Sequence, residues 1–270
     1  MKKILIIISL IWLLGQNQVP PPTVYFLNVG QGLAVLYRHS SGFTMLYDTG
    51  PGRAVAPELG TVLPPWQRQI DLIIISHTHA DHLDGLLAVL EQYSVREVWL
   101  PALPDNELGR LVGQKLTEQP DINVRRVTAG TCRILPGGDQ MIVWHPATAG
   151  QTEHAGTQVV SLTDAMGNRL LLTGDLDAAD EIAALNYCRS HHICATASQT
   201  VLQVSHHGSK TSTSLDWLEA VRPNLAVISV GENSYGHPSD ETIERLRSLG
   251  IPLKRTDQTG RVLTELSLQR

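Results

Sequence analysis

Three histidines and one aspartate lie within six consecutive residues, as His77, His79, Asp81 and His82. Imidazole nitrogens and carboxylate oxygens are the ligands that Zn²⁺ and similar divalent ions prefer. The cluster directly follows the apolar residues 72–75, a run typical of a buried strand, and precedes a stretch with helical apolar spacing. Because successive side chains at a strand end diverge, the first two histidines are predicted to approach one cation, and the aspartate and third histidine a second.

A binuclear site needs further ligands, and three later strand ends supply candidates. Asp175 follows an apolar run, and the two oxygens of a carboxylate suit a position between two cations. His206 and His207 follow another apolar run, and we expect one of them to be a ligand and the other to contact the ligands or the substrate. His237 follows a third run, and its type and position fit a ligand, a proton donor or a plain turn residue.

The composition limits the classes of function. The chain has 270 residues, of which 42% are hydrophobic and 17% charged, which excludes a disordered or fibrous protein. Its 21 Lys and Arg against 26 Asp and Glu give a net charge of −5, so no global positive field holds nucleic acid. With 5 Trp, 6 Tyr and 2 Phe, stacking platforms are few. A pure binding module is disfavoured, and a polyanionic substrate must be held locally.

Strand-like and helix-like segments alternate along most of the chain and must position these side chains. Strands are predicted at residues 24–29, 33–38, 43–47, 71–76, 95–100, 123–127, 140–144, 159–162, 170–172, 201–204, 225–230 and 262–266. Helices are predicted at residues 83–92, 105–118, 178–187, 214–220 and 239–249. Two groups of strands, each with its own helices, predict two sheets packed together and flanked by helices in one domain.

Residues 1–22 form a separate segment by composition. Two lysines precede the apolar residues 4–14, and prolines occupy positions 20–22. This pattern is typical of a signal peptide and is shorter than the ~20 residues of a spanning helix. No cleavage pattern follows, so an uncleaved membrane anchor, the end of a longer membrane segment and a buried strand stay open. We expect residues 23–270 to form one domain that is membrane-anchored or exported and lies outside the cytoplasm.

Three cysteines are present, at positions 132, 188 and 194. In an oxidising compartment Cys188 and Cys194 could form a disulfide and leave Cys132 free. Buried free thiols are an alternative. The third alternative is a metal site formed by these cysteines and the histidines between them, although their spacing matches no usual zinc pattern.

The motif at residues 77–82 resembles that of the metallo-beta-lactamase superfamily. The resemblance implies an α/β fold, the four-layer αββα sandwich, with one or two metals at the rim of two sheets. More specifically, the chain is similar from residue 24 onward to the hydrolase domain of ComEC competence proteins. The segments that carry this similarity are residues 26–32, 46–50, 77–85, 172–175, 206–212, 235–238 and 255–260.

This resemblance implies a metal-dependent phosphodiesterase or DNA nuclease that acts in DNA uptake. Single-stranded DNA or another phosphodiester would be the substrate, and two divalent ions, Zn or Mn, the cofactors. In that family the domain follows a membrane channel, which the present sequence does not contain. Two alternatives stay open: a detached, self-anchored hydrolase that serves a separate uptake channel, or a reading frame that begins upstream of the present sequence. In either case residues 1–22 would contact the membrane.

The resemblance also assigns residues outside the main motif. His154 lies 21 residues before Asp175, where the superfamily has a ligand, and is expected to be a ligand rather than a loop histidine. Asp48 would brace the histidine motif without binding metal, and His145 would be structural. The other three histidines are assigned to the surface or to loops: His39, His191 and His192.

Two positions depart from the family pattern. Asn28 and Leu33 stand where the family usually has aspartates. Two carboxylates are thus missing near the opening loop, which predicts weaker metal binding than is usual.

The expected mechanism is metal-assisted hydrolysis of a phosphodiester. Asp81 would orient the attacking water, and His237 would protonate the leaving oxygen. Lys210 would hold the phosphate together with the neighbouring hydroxyls of Ser209, Thr211 and Ser212.

Three other functions are compatible with the same motifs. One is a hydrolase of small extracellular phosphodiesters or choline-bearing cell-wall groups. Another is a non-catalytic accessory domain of an uptake channel. The third is a beta-lactamase or thioesterase, because fold and metals alone do not fix the bond that is cleaved.

Overall fold

The computed structural model describes residues 22–148, 156–194 and 197–266. Nearly all of the predicted N-terminal segment, and His154, lie outside the described residues. Within them the strands form two sheets. The strands are β1 (Thr23–Phe26), β2 (Val35–Arg38), β3 (Thr44–Tyr47), β4 (Gln69–Ile74), β5 (Ser94–Trp99), β6 (Asn123–Arg125), β7 (Cys132–Ile134), β8 (Gln140–His145), β9 (Val159–Thr163), β10 (Asn168–Leu172), β11 (Gln199–Gln203), β12 (Leu225–Ile228), β13 (Leu253–Arg255) and β14 (Val262–Glu265).

The helices cover the outer faces of the two sheets. They are α1 (Val55–Val62), α2 (Ala80–Leu83), α3 (Gly85–Gln92), α4 (Glu107–Thr117), α5 (Ala178–Ser190), α6 (Leu215–Val221), α7 (Asp240–Ser248) and α8 (Thr256–Thr259), with a 3-10 turn at Ser205–Gly208. None of the described helices has both the length and the apolar character needed to cross a bilayer.

The two sheets have the same internal plan. The first has the order β14-β1-β2-β3-β4-β5-β6 and the second β13-β12-β11-β10-β9-β8-β7. In the first sheet β3 to β6 are parallel and the other neighbours antiparallel. In the second sheet β10 to β13 are parallel and the other neighbours antiparallel. Each sheet therefore has one edge at which the carboxyl ends of several parallel strands meet.

The continuous apolar runs arise because both faces of the central strands are covered. Leu72 and Ile74 of β4 face the cluster between the sheets, whereas Ile73 faces the helices α1, α3 and α4. In the second sheet, Leu170 faces the same central cluster and Leu171 faces α5 and α6. Alternate side chains of one strand thus enter different apolar layers. The result is the four-layer αββα sandwich that the sequence analysis predicted.

Five short elements of the described residues were not predicted from the sequence: helices α1, α2 and α8 and strands β7 and β13. Helix α1 contains Pro57 and Gly60, which obscure a helical pattern. Strands β7 and β13 have three residues each, too few to show alternation. Helix α8 is a single turn of polar residues. These elements depend on pairing or packing with distant parts of the chain.

Of the three cysteine alternatives, the structure contains the disulfide. Cys188 at the end of α5 is bonded to Cys194, and Cys132 is free and exposed. The bond ties the end of α5 to the loop that leads to β11. Disulfides of this kind persist in oxidising compartments.

Gly85, the first residue of α3, is predicted to tolerate no side chain. A Cβ atom there would overlap the carbonyl oxygen of Thr49, a backbone atom that cannot move aside. Gly85→Ala should lower the free energy of unfolding by about 2–3 kcal/mol in urea denaturation with a chelator present.

Gly60→Ala is the matched control for this measurement. Gly60 also lies in a helix, but a Cβ atom there would meet nothing within 4 Å. This variant should be stabilised by about 0.5–1 kcal/mol. Equal unfolding midpoints for the two variants would contradict the close approach of α3 to the Thr49 carbonyl.

Candidate metal centre

The candidate ligands gather where the parallel halves of the two sheets end. Asp48 follows β3, and the segment His77 to His82 follows β4. Asp175 follows β10, and the pair of histidines at positions 206 and 207 follows β11. The similar plan of the two sheets places these strand ends on facing sides of one edge, so residues far apart in sequence meet there.

Backbone hydrogen bonds fix the segment that carries Asp81 and His82. The amide and the hydroxyl group of Thr49 both donate to the carbonyl oxygen of His82, at 2.8 Å each. The amide of Leu33 donates to the carbonyl oxygen of Asp81 at 3.1 Å. Helix α2 is only one turn long, so these contacts from other loops, rather than its own hydrogen bonds, position its side chains.

Asp175 lies at the centre of the cluster and is 2% exposed. Its Oδ2 lies 3.8 Å from Nε2 of His77 and 3.8 Å from Nε2 of His206. Its Oδ1 lies 3.2 Å from Nε2 of His82 and 3.6 Å from Nε2 of His207. Each oxygen therefore faces a different pair of imidazoles, as a carboxylate between two cations would.

Two groups of side chains have the composition and spacing of metal sites. In each group the ligand atoms lie within 4.8 Å of one another. The first group is His77, His79 and Asp175, and the second is Asp81, His82 and His207. The division of the histidine motif between two sites, predicted from the sequence, matches these groups, although the ligand roles themselves stay a prediction.

The hydrogen bonds of two imidazoles test whether a cation fits between the groups. Nδ1 of His207 lies 2.8 Å from the carbonyl oxygen of Ser229, and Nδ1 of His82 lies 2.8 Å from Oδ2 of Asp48. Both partners accept hydrogen bonds, so each Nδ1 carries the proton. In the neutral rings both Nε2 atoms then hold lone pairs, and they face one another at 3.3 Å.

The carboxylate oxygens around these nitrogens bring further lone pairs and negative charge to the same place. Oδ2 of Asp81 lies 3.3 Å from Nε2 of His207. Oδ1 of Asp175 is buried and accepts no hydrogen bond from the described residues. Such an arrangement is stable only if protons or cations lie between the groups. The residues therefore fit divalent metal ions.

The ionisation of the metal-free cluster follows from the same contacts. For Asp81, His82, Asp175 and His207, burial opposes the charged form, but the opposite charges and hydrogen bonds outweigh it. The pKa of Asp175 is held well below its usual range by His82 and His207, and the pKa of Asp81 is also lowered by those two rings. The pKa of His82 is raised well above its usual value by Asp175 and Asp48, and that of His207 is raised by Asp175 and Asp81.

His206 and His207 are brought to the same carboxylate by an unusual backbone. Both residues have positive φ angles, 50° and 51°. This conformation is rare for residues other than glycine and is maintained only by surrounding contacts. Nε2 of His206 approaches Oδ2 of Asp175, and Nε2 of His207 approaches Oδ1. His207 belongs to the second metal group, while His206, which is partly exposed, lies on the side of the first.

Asp48 binds the histidine motif through both of its oxygens. Oδ1 accepts a hydrogen bond from the Ser76 amide at 2.6 Å, and Oδ2 accepts one from the Ser76 hydroxyl group at 2.6 Å. Oδ2 also contacts Nδ1 of His82. Burial raises the pKa of Asp48, against the effect of His82. These contacts are those of a bracing residue that fixes the orientation of a ligand.

Lys210 lies in an exposed position on a firmly held loop. The buried carboxylate of Glu181 accepts hydrogen bonds from the amides of Thr213 and Ser214, and Arg245 donates to the carbonyl oxygen of Lys210. The hydroxyl group of Ser212 donates to backbone carbonyl oxygens at positions 205 and 209 and is fully buried. The expectation that this hydroxyl contacts a phosphate was therefore wrong, because the fold already uses it.

His237 is partly buried beside the cluster. Its ring contacts that of His206, with the centroids 5.5 Å apart. Burial and the charge of His207 lower its pKa. Its expected role as proton donor stays a prediction.

The structure places the other candidate positions away from metal ligation. His145 is buried, and its Nδ1 donates to the carbonyl oxygen of Thr157 at 2.8 Å. His39 is in a loop, in agreement with its assignment to the surface or a loop, and it is 8% exposed and lies near Asp139. His191 and His192 are exposed. Leu33, which replaces a family aspartate, packs in the central apolar cluster.

Three contributors were not recognised in the sequence. The Ser229 carbonyl fixes the His207 tautomer, and Glu181 holds the Lys210 loop. The amide side chain of Gln203 accepts from the Thr173 and Gly174 amides, at 2.7 Å each, and so fixes the turn before Asp175. A buried polar residue at the end of an apolar strand was the available signal for Gln203. A backbone carbonyl leaves no signal in a sequence.

Asp48→Asn should lower the affinity for Zn²⁺ or Mn²⁺ by about 10- to 100-fold, as measured by competition with a chromophoric chelator. Asn tolerates the positive φ of residue 48, but it removes the charge that orients His82. Asp139→Asn is the control, since Asp139 is also buried but pairs with Tyr37 away from the cluster. Equal affinities in the two variants would contradict the bracing role of Asp48.

Metal uptake should release protons and strengthen as the pH rises. Because the pKa of His82 and that of His207 are raised in the metal-free cluster, protons occupy sites that a cation requires. Below those pKa values protons compete with the cation, so its affinity falls with decreasing pH. Calorimetric titration with Zn²⁺ near neutral pH, in two buffers of different ionisation enthalpy, measures the protons released. Absence of a buffer dependence would contradict this linkage.

A family model described as the metallo-beta-lactamase superfamily matches residues 27–232. Recombination protein 2 of Haemophilus influenzae is 32% identical over 267 residues, which cover 96% of this chain and 31% of the relative. Competence protein ComA of Neisseria gonorrhoeae is 30% identical over 238 residues, which cover 86% of this chain and 30% of the relative. The chain thus spans about a third of the length of these relatives.

Solved structures show the same architecture at low sequence identity. A diphosphatase from the PhnP family has a TM-score of 0.53 and 15% identity, over 91% of this chain and 99% of that one. Zn²⁺-bound PqqB from Methylobacterium extorquens has a TM-score of 0.53 and 12% identity, over 95% and 92%. At these identities the likeness concerns the fold alone. The family match, the sandwich fold and the paired ligand groups agree: this chain belongs to the metallo-beta-lactamase superfamily.

Proposed function

We propose that this chain is a binuclear phosphodiesterase that cleaves DNA, with single-stranded DNA as its substrate during DNA uptake. The observation that carries the proposal is the arrangement around Asp175, whose two oxygens face two separate groups of imidazoles. A structural metal site needs only four ligands, and all four bind the same ion. Two adjacent groups that share one carboxylate are instead the arrangement used for in-line displacement at phosphorus.

The choice of DNA rests on the similarity to proteins named for competence and recombination. Those names describe the relatives, which are about three times as long as this chain. The net charge of −5 gives no general attraction for a polyanion, so local groups must hold the strand. Lys210 is exposed on the loop that directly follows His206 and His207 and is suited to this task.

The ligands of the proposed cations, Zn or Mn, are His77, His79, Asp81, His82, Asp175, His206 and His207, with His154 as an additional candidate. When bound, the cations supply Lewis acidity and positive charge to the reaction. Asp81 is the most open carboxylate of the cluster, with 33% of its side chain exposed, and would orient the attacking water. Lys210 would bind a phosphate oxygen. His237, whose ring contacts that of His206, would contact the strand and is the candidate proton donor for the leaving oxygen.

The test is turnover of the purified chain on labelled linear single-stranded DNA and on bis(p-nitrophenyl) phosphate, with Mn²⁺ or Zn²⁺ added. Metal-dependent shortening of the DNA is expected. His79→Ala and Asp81→Ala should each lower kcat by at least about 100-fold, because each removes a ligand candidate from one group. His191→Ala is the matched control, since this exposed histidine follows α5 and belongs to neither group.

The second candidate function is hydrolysis of small extracellular phosphodiesters, including choline-bearing ones. It is favoured by the acidic net charge and the small number of aromatic residues. Cleavage of the small diester with DNA left intact would select this alternative. Absence of both activities in the metal-loaded protein would instead indicate an accessory domain.

We further propose that the domain acts outside the cytoplasm, held at the membrane by residues 1–22 beside a separate uptake channel. The Cys188–Cys194 disulfide supports an oxidising compartment. Protease treatment of intact spheroplasts should degrade the domain. Protection of the domain until the cells are lysed would contradict this location.

A further inference from the structure

Tyr235 is an exposed aromatic residue close to the candidate metal centre. Among the described aromatic side chains only Trp66 and Tyr235 are largely exposed, with 83% and 74% of their surface accessible. Trp66 lies beyond α1, at the edge of the sheet where the parallel strands begin. Tyr235 lies in the turn after β12, at the edge where they end.

The turn that carries Tyr235 is held in one conformation. Oδ1 of Asn233 accepts hydrogen bonds from the amides of Tyr235 and His237, at 3.1 Å each. Nδ2 of Asn233 donates to the carbonyl oxygens of Gly231 and His237, at 2.9 and 2.8 Å. One side chain thus makes four hydrogen bonds across the turn. An aromatic ring on such a turn loses little freedom when it binds a ligand.

A series of ring contacts connects Tyr235 to the cluster. Its ring stacks on that of His237, with an angle of 26° between the planes and 6.0 Å between the centroids. The His237 ring contacts the His206 ring, and Nε2 of His206 lies 3.8 Å from Asp175. One face of Tyr235 is therefore packed against His237. Because 74% of the residue is exposed, this contact leaves most of the ring accessible to solvent.

We propose that the accessible ring of Tyr235 stacks on an unpaired base of the nucleotide beside the scissile phosphodiester. The inference rests on the proposed function and names the residue that contacts a base of its single-stranded substrate. Both faces of a base inside a duplex are covered by its neighbours, so a duplex cannot make this contact without extruding the base. Base–aromatic stacking tolerates any sequence because every base has a π-face. Lys210 and the metal groups recognise the phosphate, whereas Tyr235 recognises the base.

The test combines a protein change with a substrate change. The substrates are a labelled oligothymidylate and the same strand with one abasic nucleotide, placed at successive positions. For the parent, loss of the base beside the cleaved bond should lower kcat/KM by about 5- to 150-fold. Tyr235→Ala should abolish this discrimination, and Tyr235→Phe should retain it. Because the ring is exposed, truncation leaves the apolar core intact.

Trp66→Ala is the matched control, since it removes the other exposed aromatic ring at the opposite edge. This variant should discriminate between the two strands as the parent does. A Tyr235→Ala protein that still discriminates as strongly as the parent would overturn the role of Tyr235 while leaving the nuclease activity established. A parent that cleaves both strands equally at every position would also overturn it. A parent that cleaves no DNA would overturn the proposed function and this inference together.

Discussion

The organisation of this domain depends on the electrostatics around one buried carboxylate. Asp175 is enclosed by imidazoles, and the tautomers of His82 and His207 are fixed so that their lone pairs point at one another. Without positive charge between them these groups repel, and burial makes the repulsion costly. Protons can supply that charge in the metal-free protein and cations in the loaded one. The scaffold must therefore hold the ligands together against their own repulsion.

The two sheets provide this rigidity by the same means. In each, a parallel half delivers functional residues from strand ends, and an antiparallel half completes the apolar layer beneath them. The loops at the site form hydrogen bonds with one another and with the strand ends. Thr49 binds the segment of His82, and Gln203 binds the turn before Asp175. Ligands on such loops are preorganised, because the strain of residues such as His206 is balanced by the contacts around them.

The sequence predicts the parts of this site that are local. Residues 77–82 contain several ligand types beside an apolar strand, so their division between two groups of candidate ligands was predictable from their spacing. The spacing does not decide which of His206 and His207 approaches the cluster. A turn with positive φ angles brings both rings to Asp175, one to each carboxylate oxygen. The orientation of a hydroxyl group cannot be deduced from the sequence either. The hydroxyl group of Ser212, for example, is buried and bonded to the backbone. The sandwich was predictable because apolar runs mark strands covered on both faces, whereas the three residues of β13 carry no such pattern.

The pairing of β14 with β1 brings the first and last described strands of the domain together. Thr23 is opposite Glu265, and the amide of Leu266 donates to the carbonyl oxygen of Pro22 at 3.0 Å. Pro22 and Leu266 therefore lie side by side, at the end of the sheet opposite to the strand ends that carry the candidate ligands. A force applied at either residue would act on the pairing of β1 with β14 and not on the loops of the candidate ligands. Any attachment made through these two residues would leave the candidate metal centre at the other end of the sheet.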